Sequence, residues 1–177
     1  ANGSPIGDLA PALIAMGAVL ELVKAGQARA LPLQDFFVGY GQQDRQAGEY
    51  LRAVHIPRLD AGMHFRALKI SKRFDEDIAS VMGAFCLTLE SGLIAQARIA
   101  YGGMAGTPKR ALHAENFLQG QPVGSAATWK LAAEILAEDF IPVSDHRASA
   151  HYRMQAARGI LIKALAEIAG LPGSSTR

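Results

Sequence analysis

The sequence has few of the features that mark several classes of protein. It contains one cysteine, Cys86, so no internal disulfide can form, and its neighbours Phe85 and Leu87 predict that the thiol packs as a small apolar group. The 18 basic and 16 acidic residues give a net charge of +2 without a run of like charges, which argues against nucleic-acid binding. No stretch approaches the roughly 20 apolar residues that cross a bilayer, and no secretion signal opens the sequence. We therefore expect a cytoplasmic protein that does not contact a membrane.

Short motifs that identify a reaction are also missing. The five histidines are scattered without H-E-x-x-H spacing, and there is no P-loop or dinucleotide fingerprint, so we predict no metal site and no self-contained nucleotide site. Asp145, His146 and Ser149 are residue types of a hydrolytic triad, but close neighbours on the chain point in different directions. We interpret this segment as the cap and anchor of a final helix. A hydrolase that used Ser149 and His146 would have esterase activity, and Ser149→Ala would lose it; we expect no such activity.

The apolar pattern predicts antiparallel strands followed by helices. Of the 177 residues 50% are hydrophobic, enough for a sizeable core. Asp8 is placed to cap a short helix that Gly17 ends, and Ser91-Gly92 suits a tight hairpin turn. We predict strands over 18–23, 28–31, 50–56, 64–70, 81–90 and 93–101, a loop over 36–40, and helices over 108–118, over 125–140 and from 149. This order is typical of an α+β fold with antiparallel sheets and segregated helices.

Two segments are candidates for ligand binding. Residues 2–8 are small or polar and lead into a helix, so their backbone could approach a ligand closely, although a simple capped helix start has the same pattern. Residues 69–77 form a charged loop between two strands, where cations could stabilise an anionic ring. The alternative is a solvated connection whose ion pairs contribute little. The residues alone leave both alternatives open.

Four segments, taken in order, resemble one family. They are A-N-G-S-P-I-G-D-L (1–9), L-K-I-S-K-R-F-D-E-D-I-A (68–79), A-Y-G-G-M-A (100–105) and D-H-R-A-S-A-H-Y-R (145–153). Together they are similar to the molybdopterin hydroxylase flavoproteins, and within these to the FAD-binding small subunit of bacterial xanthine dehydrogenase. The resemblance implies a second flavin-domain lobe over 1–58 and a C-terminal α+β domain over 62–172, in which a small antiparallel sheet packs with helices. Residues 173–177 are expected to be a mobile tail.

The resemblance also implies function and partners. In this family FAD receives electrons from iron–sulfur clusters, which take them from a molybdopterin centre, and passes them to NAD. The expected partners are an upstream FAD and iron–sulfur region and a large molybdopterin subunit, in a hetero-oligomer of dimeric type. The substrate, a purine in xanthine dehydrogenases, is oxidised in the large subunit.

Carried over by position, the resemblance assigns cofactor-binding roles to Asn2, Asp8, Leu51 and Lys69. Asp8 would accept a hydrogen bond, Leu51 would offer backbone groups, and Lys69 would stabilise negative charge on the reduced ring. A loop that controls flavin and NAD access is expected at Arg73, Asp75, Glu76 and Asp77, where Glu76 departs from a common aspartate.

The family's glycine-rich pyrophosphate loop and its cysteine motifs do not occur in this sequence. We therefore expect a C-terminal fragment whose flavin site is incomplete and which binds FAD poorly by itself. The alternative is a non-catalytic α+β interaction or scaffold module, and the sequence upstream of Ala1 would distinguish the two.

Overall fold

The computed structural model describes residue 4 and residues 6–170, and it combines helices with antiparallel sheets, as predicted. The helices are α1 (Ala10–Ala15), α2 (Leu33–Phe36), α3 (Leu112–Leu118), α4 (Ala126–Asp139) and α5 (Ala150–Ile168). The strands are β1 (Val19–Lys24), β2 (Gln27–Pro32), β3 (Phe37–Gly39), β4 (Gln42–Gln43), β5 (Tyr50–His55), β6 (Met63–Ile70), β7 (Val81–Glu90), β8 (Leu93–Gly102) and β9 (Lys109–Arg110). Across the described part of the chain, no helix has both the length and the apolar character needed to cross a membrane.

The first sheet has the strand order β2-β1-β5, with all pairs antiparallel. A bulge between Glu21 and Leu22 interrupts the pairing of β1 with β5. β5 pairs only with β1 among the described residues, and its own residues are exposed or half-buried. One edge and much of the surface of this strand are thus open to another element or a ligand.

The second sheet has the order β6-β7-β8-β9, and its inner strand β7 is buried on both faces over most of its length. Alternate residues of β7 point to opposite sides: Phe85 and Leu87 pack towards α3, α4 and α5, whereas Ala84 and Cys86 pack towards α1 and the first sheet. Burial on both faces explains why 81–90 reads as an almost continuous apolar run. The buried Cys86 also confirms the expectation of a small packed thiol.

The starts of α4 and α5 agree with the sequence, whereas that of α3 does not. Ser125 Oγ accepts the Thr128 N–H at the start of α4, and Ser149 Oγ accepts the Tyr152 N–H at the start of α5. The predicted helix over 108–118 is wrong in its first turn, because Lys109 and Arg110 extend the sheet beside β8. α3 begins afterwards, and the buried Asp139 carboxylate at the end of α4 accepts its first N–H groups, those of 113 and 114.

The prediction that Asp8 caps α1 is also wrong. The residue before α1 is Leu9, which offers no side-chain hydrogen bond, and Asp8 turns towards the loop after β6 instead. A carboxylate there receives a cation as well as a backbone N–H, which is a stronger set of partners than a helix start offers. The end of α1 agrees with the prediction, because Gly17 has a φ of 76° and follows the last turn.

A polar network joins the first sheet region to the second sheet. The Arg98 guanidinium on β8 donates to the carbonyls of Ile14 and Ala15 at the end of α1 and to Gln34 of α2. Arg110 donates to the same Gln34 and pairs with the buried Glu115. The half-buried cation at the carbonyl end of α1 holds this helix against the sheet.

Candidate functional site

The centre of the candidate site is a contact between Lys69 and Asp8. The Lys69 ammonium at the end of β6 donates to Asp8 Oδ2 over 2.6 Å and to the Asp77 carbonyl over 2.6 Å. Asp8 Oδ1 accepts the Ala79 N–H over 3.2 Å. Both side chains of the ion pair are about two-fifths exposed, at 39% each. Residues that lie 61 positions apart are therefore joined in a solvent-accessible pair.

The loop after β6 is held in shape by the Asp77 carboxylate. Asp77 Oδ2 accepts the N–H groups of Lys72 and Arg73 at 3.0 and 2.9 Å, and Oδ1 accepts that of Ile78 at 3.0 Å. The Arg73 N–H has the largest effect in lowering the pKa of Asp77, which burial opposes and the nearby Arg73 charge and the other two N–H groups favour. Asp77 therefore stays ionised and acts as the internal cap of the loop.

Arg73 and Glu76 lie on the outer side of the same loop. The Arg73 guanidinium donates to the Glu76 carbonyl over 3.0 Å and approaches Asp77 Oδ1 at 3.6 Å. Glu76 has a φ of 50°, a backbone conformation that residues other than glycine rarely adopt, and the Arg73 contact helps to hold it. The Glu76 and Asp75 carboxylates and the Phe74 ring remain exposed.

A second set of contacts ties this loop to the segment before α5. Lys72 Nζ donates to the His146 carbonyl over 2.8 Å. The fully buried Arg153 donates from Nη1 to the Ser80 carbonyl and, over 3.2 Å, to the Gly103 carbonyl, while its Nη2 pairs with Asp145 over 2.7 Å. Arg153 thus joins the end of the loop and the turn after β8 to α5.

Asp145 organises the segment before α5. Its Oδ1 accepts the N–H groups of Arg147 and Ala148 as well as the Arg153 guanidinium. Burial raises its pKa, but these hydrogen bonds and the Arg153 charge outweigh burial and lower the pKa to about 2. Ser149 Oγ serves as the cap of α5, and no hydrogen bond joins it to His146 among the described residues. This arrangement agrees with a helix anchor and not with a hydrolytic triad.

Two clefts lie on either side of this segment. The first, of about 470 Å³, lies between the start of the described chain and the turn after β8. It is lined by Ser4, Ile6, Tyr40, Gly103, Ala105, Gly106, Val143, Asp145, His146, Arg147 and Arg153. The second, of about 380 Å³, shares Asp145, His146 and Arg147 with the first and is also lined by Lys72 of the loop. Both clefts are therefore lined by residues of the segment 145–153, one of the four that resemble the family.

The structure brings together five of the eight site residues named from the sequence: Asp8, Lys69, Arg73, Glu76 and Asp77. Asp75 shares their loop without a side-chain partner in the described part of the chain. Leu51 lies on the open strand β5, 37% exposed and opposite Leu22, and no hydrogen bond or ion pair joins it to the Asp8–Lys69 pair. Asn2 lies outside the described residues.

The arrangement suits the binding of an anionic or electron-rich ring. An ammonium group has three N–H bonds, and Lys69 uses two of them within the chain, so one can point to a ligand acceptor. Asp8 and the Asp77 carbonyl fix where that third N–H points. The exposed Leu51 and Val54 provide apolar surface on β5 at which an aromatic system could pack.

Sequence reasoning missed the residues that hold these parts in place. Arg153 ends the segment 145–153 that resembles the family but received no role of its own, yet it is 2% exposed and contacts a carbonyl 73 positions away. No local pattern marks such a residue. Gly103 carried a signal, since its φ of 80° and its close approach to Ser80 and Arg153 exclude a side chain, and glycine pairs often mark close backbone approach.

Comparisons with known proteins agree with this architecture. Residues 1–59 match the family described as FAD binding domain in molybdopterin dehydrogenase, and residues 66–168 match the CO dehydrogenase flavoprotein C-terminal domain. The glyceraldehyde dehydrogenase medium chain of Sulfolobus acidocaldarius is 29% identical over 168 residues, which cover 95% of this chain and 59% of the relative. Xanthine dehydrogenase of Emericella nidulans is 32% identical over 142 residues, 79% of this chain and 10% of the relative.

A solved structure gives the same result. A chain of the reconstituted CO dehydrogenase from Oligotropha carboxidovorans superposes with a TM-score of 0.88 at 27% sequence identity, over 97% of this chain and 59% of that chain. The present chain thus spans about three-fifths of the length of the medium-chain relative and of this structure.

Proposed function

Because the chain belongs to the flavoprotein family of the molybdopterin dehydrogenases, we propose that it forms part of the FAD subunit of a xanthine dehydrogenase-like molybdenum hydroxylase. When bound, FAD would accept electrons from iron–sulfur clusters and deliver them to NAD. The observation that carries the proposal is the Lys69 ammonium, which Asp8 and the Asp77 carbonyl hold with one N–H to spare. The same two motifs that make this contact, at 1–9 and 68–79, carry the resemblance to the family.

Within this proposal the residues have separate roles. Lys69 donates to the flavin ring and stabilises negative charge that accumulates there on reduction. Asp8 orients Lys69 and, through its free lone pairs, accepts a hydrogen bond from the ring or the ribityl chain. Leu51 and the open edge of β5 contribute apolar contact and backbone groups, and Asn2, as the resemblance implies, contacts the flavin.

We assign NAD access to the loop that Asp77 caps. Arg73, Asp75 and Glu76 place one cation and two carboxylates on its exposed side, and their charges act on whatever approaches the flavin. The cleft of about 470 Å³ is lined by His146, whose carbonyl accepts from Lys72 of this loop, and it gives an acceptor a route towards the proposed flavin side of the chain. NAD is supported by the resemblance of residues 68–79 and 100–105 to xanthine dehydrogenases.

The same proposal names the partners and the division of the chain. Residues 1–58 would be the second lobe of the flavin domain and 62–172 the C-terminal domain, joined at the irregular segment 56–62. The remaining flavin lobe, the iron–sulfur clusters and the large molybdopterin subunit would complete a cytoplasmic hetero-oligomer of dimeric type. A purine would be oxidised in the large subunit, as part of purine catabolism.

Co-expression with the upstream region and the large subunit tests this function. We expect flavin absorbance near one FAD per chain in the complex, little in the chain alone, and NAD reduction with xanthine. Xanthine, an aldehyde and carbon monoxide should be compared as reductants, because the relatives include dehydrogenases of different substrates. Stoichiometric flavin in the isolated chain would contradict the incomplete site, and a complex without flavin would favour the scaffold alternative.

The variant Lys69→Met tests the role of the ammonium group. In the complex we expect NAD-dependent turnover to fall about tenfold or more, the loss of one charge-assisted hydrogen bond. The free energy of unfolding should fall by at most about 1 kcal/mol, because the ion pair with Asp8 is half-exposed. Lys130→Met, at an exposed lysine of α4, is the matched control and should leave both unchanged. Loss of folding in step with turnover would show that Lys69 is structural.

A further inference from the structure

The second cleft, of about 380 Å³, is lined by groups that donate hydrogen bonds. It lies between the loop after β6 and the start of α5, and Lys72 and Arg147 supply its cations. Hydroxyl groups make up much of the remaining wall, from Ser71, Ser80, Ser149 and Tyr152. The hydroxyl of Ser149 accepts the Tyr152 N–H, which leaves its own O–H free to donate.

Arg147 has a guanidinium group without a partner. Its backbone N–H donates to Asp145, but its side chain forms no hydrogen bond or ion pair within the described part of the chain. Its Nε is buried and unpaired. Buried N–H groups in folded proteins nearly always have an acceptor, so this guanidinium group keeps donors that no group in the described part of the chain uses.

The charge of the cleft is positive because its carboxylate is already engaged. Asp145 pairs with the buried Arg153 over 2.7 Å and accepts two backbone N–H groups. Its negative charge is thereby balanced from the inner side. Lys72 gives one of its three N–H bonds to the His146 carbonyl and keeps two for a ligand.

We propose that this cleft binds a phosphate group, with Arg147 and Lys72 as its cations and Ser149 as a hydroxyl donor. A guanidinium group presents two parallel N–H bonds that match two phosphate oxygens, and the ammonium group adds a compact charge. The ligand is identified through the proposed function: NAD carries a diphosphate, and Lys72 belongs to the loop assigned to NAD access. The cleft would then hold the diphosphate while the nicotinamide end reaches the flavin side.

Calorimetric titration of the 177-residue chain with inorganic pyrophosphate and with inorganic phosphate tests the site. We expect saturable binding, tighter for pyrophosphate, that weakens as potassium chloride is raised. Arg147→Gln should weaken the affinity about tenfold or more and Lys72→Gln several-fold. Arg58→Gln and Lys130→Gln, at exposed cations away from this lining, are matched controls and should stay within about twofold of the parent.

One further variant and one further measurement keep the result decisive. Arg147→Lys retains the charge without the planar fork, so it should fall between the parent and Arg147→Gln. Circular dichroism confirms that each variant is folded. The proposal is overturned if pyrophosphate does not bind, if Arg147→Gln binds as well as the parent, or if the control variants lose as much affinity.

The outcome is separable from that of the proposed function. If pyrophosphate binding depends on Arg147 but the complex does not reduce NAD, the phosphate site stands and its ligand is not NAD. If the complex reduces NAD but the chain does not bind pyrophosphate, NAD stands as the electron acceptor and the proposed phosphate site is wrong.

Discussion

Replacing the buried Arg153 by methionine should destabilise the chain more than any comparable surface change. The guanidinium donates to the carbonyls of Ser80 and Gly103 and pairs with Asp145, at an exposure of 2%. Methionine fills much of the same volume but donates nothing, so the two carbonyls and the carboxylate each lose a charged donor.

The magnitude follows from opposing effects. Hydrogen bonds to charged groups contribute about 1.5–3 kcal/mol each, and there are three of them here. Against this, methionine removes a desolvated cation and its buried, unpaired Nε, and Asp145 is partly exposed, with 35% of its side chain accessible. We expect a net loss of about 3 kcal/mol, near the lower end of the range for breaking a buried ion pair. For a chain of this size that lowers Tm by roughly 6–12 °C.

Thermal unfolding followed by circular dichroism measures this loss. Arg158→Met is the matched control, since Arg158 lies on the same helix and makes one hydrogen bond, to the Ala133 carbonyl over 3.2 Å. Its Tm should fall by no more than about 4 °C. A double-mutant cycle with Asp145→Asn should give a coupling energy of about 1–2 kcal/mol. Equal melting of the Arg153 and Arg158 variants would refute the assigned role of Arg153.

Two other predictions concern the same region and the first sheet. Gly103→Ala should destabilise the chain and lower Tm by several degrees, because φ is 80° and a Cβ would overlap the Ser80 carbonyl; Gly106→Ala, with open space around it, is the control, and equal melting would contradict the reasoning. The pKa of Glu49 is lowered to about 2, chiefly by the Arg29 guanidinium, and that of Asp145 is also lowered to about 2. Both carboxylates therefore stabilise the fold above their ordinary values near 4, and this contribution is lost as the pH falls through about 2. The urea midpoint should drop between pH 5 and pH 2, and it should drop less steeply in Glu49→Gln and Asp145→Asn; unchanged slopes would count against both ion pairs.

Local chemistry explains which parts of the fold the sequence could predict. β7 and β8 are long apolar runs because both faces of their sheet are covered, and the turn between them suits Ser91 and Gly92, which both have positive φ. The caps of α4 and α5 are serines that bond N–H groups three residues away. Each of these signals lies within a few residues of the structure it specifies.

The errors come from contacts that lie outside the mispredicted segment. Asp8 has the position of a helix cap, but its carboxylate binds the Lys69 ammonium and the Ala79 N–H instead. Lys109 and Arg110 follow Pro108, which can begin a helix, but they pair with the free edge of β8 as a strand. The partners of Asp8 lie 61 and 71 positions away, and those of Lys109 and Arg110 lie 8 to 10 positions away on β8, so the pattern of each segment alone shows neither.

The candidate site could be found only in part for the same reason. The resemblance assigned roles to Lys69 and the acidic loop. It assigned none to Arg147 and Arg153, although they lie in the segment 145–153 that also resembles the family. The structure joins the two regions through Lys72 and Ser80, which hold the two ends of one loop. Residues that are distant in the sequence therefore belong to the same candidate site.

The loop between β6 and β7 links the proposed flavin contact at Lys69 to the proposed phosphate-binding cleft through Asp77. Its carbonyl accepts from Lys69, and its carboxylate accepts the N–H of Lys72, so the two lysines are fixed by one residue. A ligand acceptor at Lys69 and a phosphate at Lys72 would then act on the same hydrogen-bonded unit, and any coupling between them must be reciprocal. Lys69→Met removes a cation that contacts Asp77, and Arg147→Gln removes one that does not. Comparing the two variants therefore tests whether the coupling runs through Asp77.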